Sequence, residues 1–139
     1  MDNIFEGKGI IINNLQHLSA TEAYECCKNG AIIIDVREEL MSKVKTFDVP
    51  DVKNFPLKKL PLQVNELPTD RYMIFADATG LRSKQAVDIA NKNGYTKIAN
   101  LAGGLVEWER DGMPVNTYKK LLVGSRNKGE IVDKNVFRR

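Results

Sequence analysis

The segment Tyr72-Met-Ile-Phe-Ala-Asp-Ala-Thr-Gly-Leu-Arg-Ser83 decides how this chain is read. From Tyr72 to Ala76 it is apolar throughout, as expected of a strand covered on both faces. From Ser83 onward the pattern turns helical, with Ala86, Val87, Ile89 and Ala90 on one face and Asn93-Gly94 as the stop. Asp77, Ala78, Thr79, Gly80, Leu81 and Arg82 therefore form a short strand-to-helix loop that Ser83 closes. Such a loop directs several backbone N–H groups toward one point, where the helix dipole adds partial positive charge. Gly80 opens backbone conformations closed to other residues. Arg82 brings a permanent positive charge and a fork of donors. The run from Asp77 to Ser83 is thus the candidate anion-binding loop.

The same alternation continues on both sides of this segment. Ile10 to Ile12, Ala31 to Val36 and Lys97 to Leu101 are further apolar runs. Ser19 followed by Glu22 is a capping box, and it opens a helix that runs through Ala23 and Cys27 to Asn29-Gly30. Gly103-Gly104 precedes a short amphipathic helix with Leu105 and Trp108, closed by Gly112 and Pro114. Strands alternating with helices predict an α/β fold, a central parallel sheet flanked by helices on both faces. Ligands of such sheets bind beyond the carboxyl ends of the strands, where the Asp77 loop is expected. The stretch from Met41 to Pro68, with Pro50, Pro56 and Pro61 inside it, reads as loops with short helical turns.

At 139 residues the chain is long enough for one domain with its own core. Its 42% apolar and 28% charged residues suit a soluble globular protein. The net charge of +3 is unevenly placed. Residues 116–139 hold seven basic and two acidic side chains, which gives +5 and leaves −2 for the body. We therefore expect a domain over 1–115, a basic tail over 116–139, and no nucleic-acid footprint across the domain. Cys26 and Cys27 are adjacent, a spacing that strains a disulfide. With His17 as the sole histidine and no C-x-x-C pair, no metal site is expected, and no cofactor either. The start, MDNIFEGKGIII, lacks a secretory pattern, and no apolar run approaches the roughly 20 residues that span a bilayer. The expectation is a cytoplasmic protein without membrane contact.

Four stretches in order resemble the rhodanese-like domain family. Ile33-Ile-Asp-Val-Arg37 is similar to the family's apolar strand ending in Asp-Val-Arg. Val49-Pro-Asp-Val-Lys-Asn-Phe-Pro-Leu57 resembles H-I-P-G-A-x-N-I-P-L, with Asp48 at the place of the His and Asp51 at that of the Gly. Asp77 to Ser83 resembles C-x-x-G-x-R-S, and Tyr95 to Pro114, with Leu101-Ala-Gly-Gly104, resembles the closing segment. The resemblance implies a single rhodanese-like domain and sulfur transfer through a cysteine persulfide held by the loop N–H groups. Gly80, Arg82 and Ser83 match the motif, whereas Asp77 stands at the place of the nucleophilic cysteine.

A carboxylate forms no stable persulfide. It also brings its own anion into the loop, where the N–H groups and Arg82 would bond it and oppose incoming thiosulfate. The resemblance then implies an inactive homologue in the sulfurtransferase family. It would be a binding or regulatory module for a protein partner or a small anion, with no catalytic residue expected. The alternative is an active sulfurtransferase, moving sulfur from thiosulfate or a persulfide through Cys26 or Cys27. Those two read as small hydrophobes filling a helix face. Trp108 reads as a packing residue, and Arg37 as the ion-pair partner of Asp35.

Overall fold

The computed structural model describes residues 3–118, so residues 119–139 of the expected tail lie outside the described residues. Strands β1 (Ile10–Ile12), β2 (Leu15–Leu18), β3 (Ile32–Asp35), β4 (Lys45–Phe47), β5 (Val52–Asn54), β6 (Met73–Ala76), β7 (Ile98–Leu101) and β8 (Val115–Thr117) alternate with helices. The helices are α1 (Ala20–Lys28), α2 (Glu39–Val44), α3 (Leu60–Gln63), α4 (Arg82–Lys92) and α5 (Gly104–Arg110). Six strands form one sheet in the order β1-β2-β7-β6-β3-β5, and β4 pairs with β8 in a separate antiparallel ladder. All neighbours in the main sheet are parallel except β1 and β2.

Every residue of β3, β6 and β7 is buried, which explains their near-continuous apolar sequences. Alternate side chains serve opposite faces. Ile33, Ile74 and Leu101 join Cys26 and Cys27 of α1 and Leu105 and Trp108 of α5 in one core. Ile32, Ile34, Phe75 and Ile98 join Ala86, Val87 and Ala90 of α4 and Leu60 of α3 in the other. The sheet is thus covered by helices on both faces. The expected capping box is present, Ser19 accepting from the Glu22 N–H and Glu22 accepting from that of Ser19.

Four expectations need correction. The Tyr72 run enters the sheet only at Met73, and α4 begins at Arg82, one residue before Ser83. Ile10 to Ile12 form an exposed edge strand that runs antiparallel in the sheet expected to be parallel, because the Asn13–Asn14 turn, with φ of 53° and 67°, folds them back on β2. Strand β2 reads Leu-Gln-His-Leu and β5 reads Val-Lys-Asn. Their polar residues hide strands that lie beside or at the rim of the sheet. The stretch from Met41 to Pro68 therefore holds β4 and β5 as well as helical turns.

Candidate functional site

Strand β6 ends at Ala76, and the chain needs only five residues to enter α4. The Asp77 side chain turns back into this loop and is 3% exposed. Its Oδ1 accepts from the Gly80 N–H at 2.5 Å and faces the Ser83 hydroxyl at 3.2 Å. Its Oδ2 accepts from the Arg82 N–H at 3.1 Å. The candidate loop residues are thus brought together around a carboxylate of their own. Gly80 sits at φ +92°, and a Cβ there would lie 2.8 Å from the Gly103 nitrogen. No side chain fits at that approach.

A second glycine pair holds the loop from behind. The Leu105 and Val106 N–H groups, in the first turn of α5, donate to the carbonyls of Asp77 and Ala78 at 2.9 and 3.0 Å. This contact needs Gly104, where a Cβ would overlap the Ala78 backbone. The Gly103-Gly104 pair is therefore part of the loop's architecture as well as a helix start.

Arg82 departs from expectation. Its backbone N–H binds Asp77, but its guanidinium makes no bond to that carboxylate. At the first helical position its side chain is exposed and lines the open mouth instead. This mouth is a pocket of about 510 Å³ lined by Arg37, Glu38, Met41, Asp77, Thr79 and Arg82, among others. A neighbouring pocket of about 430 Å³ shares Glu38 and Arg82 and adds Leu40, Lys58 and Lys59. Among the described residues, the N–H groups of Ala78, Thr79 and Leu81 donate to no protein acceptor. Arg37 forms a two-pronged ion pair with Asp35, Nε to Oδ1 at 3.0 Å and Nη2 to Oδ2 at 2.8 Å, and also bonds the Lys45 carbonyl. Both partners are buried, in keeping with a structural pair.

One site residue was missed in the sequence. Asn100 lies 2% exposed in the otherwise apolar strand β7. Its amide reaches the Ser83 hydroxyl, the Gly80 carbonyl and His17 Nδ1. A polar residue within an apolar run is the signal that could have found it, since a buried amide needs partners. His17, read from sequence as isolated, is brought opposite Asn100 by the parallel pairing of β2 with β7. Burial and Lys84 hold its imidazole below the ordinary 6.5.

The two cysteines lie elsewhere. Cys26 and Cys27 are 1% and 2% exposed in α1, and Trp108 is fully buried in the same core. Burial pushes the Cys26 thiol up, and it pushes that of Cys27 up to about 12 with Cys26 adding to the effect. Among the described residues no cluster of three or more His, Cys, Asp or Glu could hold a metal ion, and no helix is long and apolar enough to cross a membrane.

Four similarities bear on this arrangement. Residues 19–111 match the model of the rhodanese-like domain. A sulfurtransferase of Allochromatium vinosum is 30% identical over 84 residues, covering 60% of this chain and 77% of the relative. A rhodanese-related protein from Thermoplasma volcanium shares the fold with a TM-score of 0.65 at 27% identity, over 72% of this chain and 96% of its own. The rhodanese-like domain of an Anabaena protein, at 21% identity, matches in fold with a TM-score of 0.66, over 88% and 92% of the two chains.

Proposed function

Because this chain belongs to the rhodanese-like domain family, we propose that it is a family member without sulfurtransferase activity, acting as a binding or regulatory module. The observation that carries this reading is the Asp77 carboxylate on the Gly80 and Arg82 N–H groups. The family resemblance assigns that position to the sulfur-carrying cysteine. An oxygen anion placed there repels thiosulfate and cannot hold a second sulfur atom. The exposed part of the loop supports a binding role. Ala78, Thr79, Leu81 and Arg82 line the mouth, and three N–H groups without a protein acceptor beside one positive charge suit the acceptors of a protein partner or a small anion.

The test is a thiosulfate:cyanide sulfurtransferase assay on the purified chain, run beside Asp77→Ala. The expected result is background turnover for both. Turnover that disappears in Asp77→Ala would overturn the proposal.

The name of the Allochromatium vinosum relative favours a second reading, an active sulfurtransferase, for which Cys26 and Cys27 are the two thiols the chain offers. Thiolate is the attacking species, and burial disfavours it at both positions. Intact mass after incubation with a sulfur donor separates the two readings. A gain of one sulfur atom, lost in the Cys26→Ser, Cys27→Ser double variant, would establish the second.

A further inference from the structure

The candidate loop contains a hydroxyl with one proton and two acceptors. Ser83 Oγ faces Asp77 Oδ1 at 3.2 Å and lies still nearer to Asn100 Oδ1. Ser83, Asn100 and Asp77 are 0%, 2% and 3% exposed, so bulk water does not settle the competition. The orientation of the Asn100 amide does.

With its oxygen on Ser83, Asn100 directs its two Nδ2 hydrogens to His17 Nδ1 and to the Gly80 carbonyl, each at 3.3 Å. This arrangement requires a bare Nδ1, hence a neutral imidazole with its hydrogen on Nε2. The Ser83 proton then goes to Asn100, and Asp77 Oδ1 keeps the Gly80 N–H as its donor. A protonated His17 carries a hydrogen on Nδ1, which would confront the Asn100 amino group. A half-turn of the amide removes the conflict. Asn100 Oδ1 then accepts from His17, Nδ2 donates to Ser83 Oγ, and the Ser83 proton turns to Asp77. The opposing cost is at Gly80, whose carbonyl loses its Asn100 donor and meets an oxygen.

We propose that His17 is a positioning residue which sets, through the Asn100 amide, whether the Ser83 hydroxyl donates to Asp77. The hold of the loop on its own carboxylate is thereby coupled to proton binding on the far side of Gly80. This regulation rests on the reading of Asp77 as the occupant of the loop. His17 lines an open pocket of about 540 Å³ that also reaches Gly80, Leu81 and Asn100. The charged groups that line this pocket with it, Lys84 and Asp88, both come from α4; Lys84 acts on the ring, and Asp88 is paired with Lys92. From β1 come Ile10 and Ile12, which carry no charge, and from β7 comes Asn100 itself. Burial and the Lys84 ammonium favour the neutral ring, so the loosened arrangement belongs to neutral pH and the tightened one to acid.

The experiment is a nitrogen–proton correlation NMR titration of the full chain from neutral to mildly acidic pH. The Asn100 side-chain amide and the backbone amides of Gly80 and Arg82 should shift together, at the midpoint of the His17 ring and below 6.5. In His17→Gln, whose side chain cannot take up a proton, the shared transition should vanish while the remaining spectrum is retained. Amides of Asn100 and Gly80 that stay flat while His17 titrates would overturn the proposal. A transition that survives in His17→Gln would do the same. The titration reads hydrogen bonds and the sulfurtransferase assay reads turnover, so either reading can fail without the other.

Discussion

The thiols of this chain lie in α1 and its candidate anion loop follows β6, and the two regions are mirror images in chemistry. The α1 segment has two sulfur atoms buried in an apolar core, Cys26 Sγ facing the Ile4 carbonyl, and among the described residues no N–H group bonds either of them. The loop has converging N–H groups, a glycine at φ +92° and a cation at its mouth, but an oxygen acid at its centre. Sulfur carriage needs a thiolate and a cradle at the same place. The comparison teaches that residue type and environment are separate requirements: α1 has the sulfur in a setting that keeps it a thiol, and the loop has converging N–H groups without the sulfur.

Joining the two requirements should give the largest effect. Asp77→Cys places a thiol in the cradle, and after thiosulfate treatment its intact mass should rise by one sulfur atom while the parent chain stays unchanged. A variant that folds yet gains no sulfur would mean that the cradle cannot support a persulfide even with its thiol restored.

The next effect belongs to α1 at high pH. Cys27 titrates in the unfolded chain near 9.0 and in the folded one at about 12. The unfolded state therefore releases its proton first, so stability is full below about 9 and falls as pH rises toward 12. Urea midpoints across that window should decline, and Cys27→Ala should flatten the decline.

A smaller loss is expected from Asp77→Ala. It removes the acceptor from the Gly80 and Arg82 N–H groups, much as removal of a helix cap does, and should cost about 1–2 kcal/mol. Thiol labelling of Cys26 and Cys27 in the native state should remain as slow as in the parent.

The smallest effect is at acidic pH and arises on the loop side. The folded His17 binds a proton less readily than the unfolded residue with its value of 6.5. Its contribution to stability is present above that value and is lost as pH falls below it through the folded midpoint. Chemical denaturation of His17→Gln should show a shallower acid slope than the parent.

The central strands and the loop were legible because both are local patterns. Strands β3, β6 and β7 are buried on both faces, so their sequences are apolar apart from Asp35 and Asn100. The loop is one short run with a glycine and an arginine at fixed places. Strands β2, β5 and β8 escaped because each has three or four residues with polar side chains among them. Such a strand exists because a neighbour offers hydrogen bonds, which no short window records. The contact between His17 and Asn100 spans 83 residues and depends on the register of β2 with β7, so it needed the assembled sheet. The position of the Arg82 guanidinium escaped for a related reason. Its charge suggested a partner, but the backbone N–H of the same residue met that carboxylate first.

The bonds from the first turn of α5 to the Asp77 and Ala78 carbonyls tie the loop to the one tryptophan of the chain. Trp108 is enclosed edge-on by Tyr24 and Phe47, and its indole N–H is fixed on the Pro114 carbonyl. A guest that displaces the loop must pull on the same short helix. The chain therefore carries its own optical gauge, and the emission of Trp108 should change when the mouth is filled, with no label added.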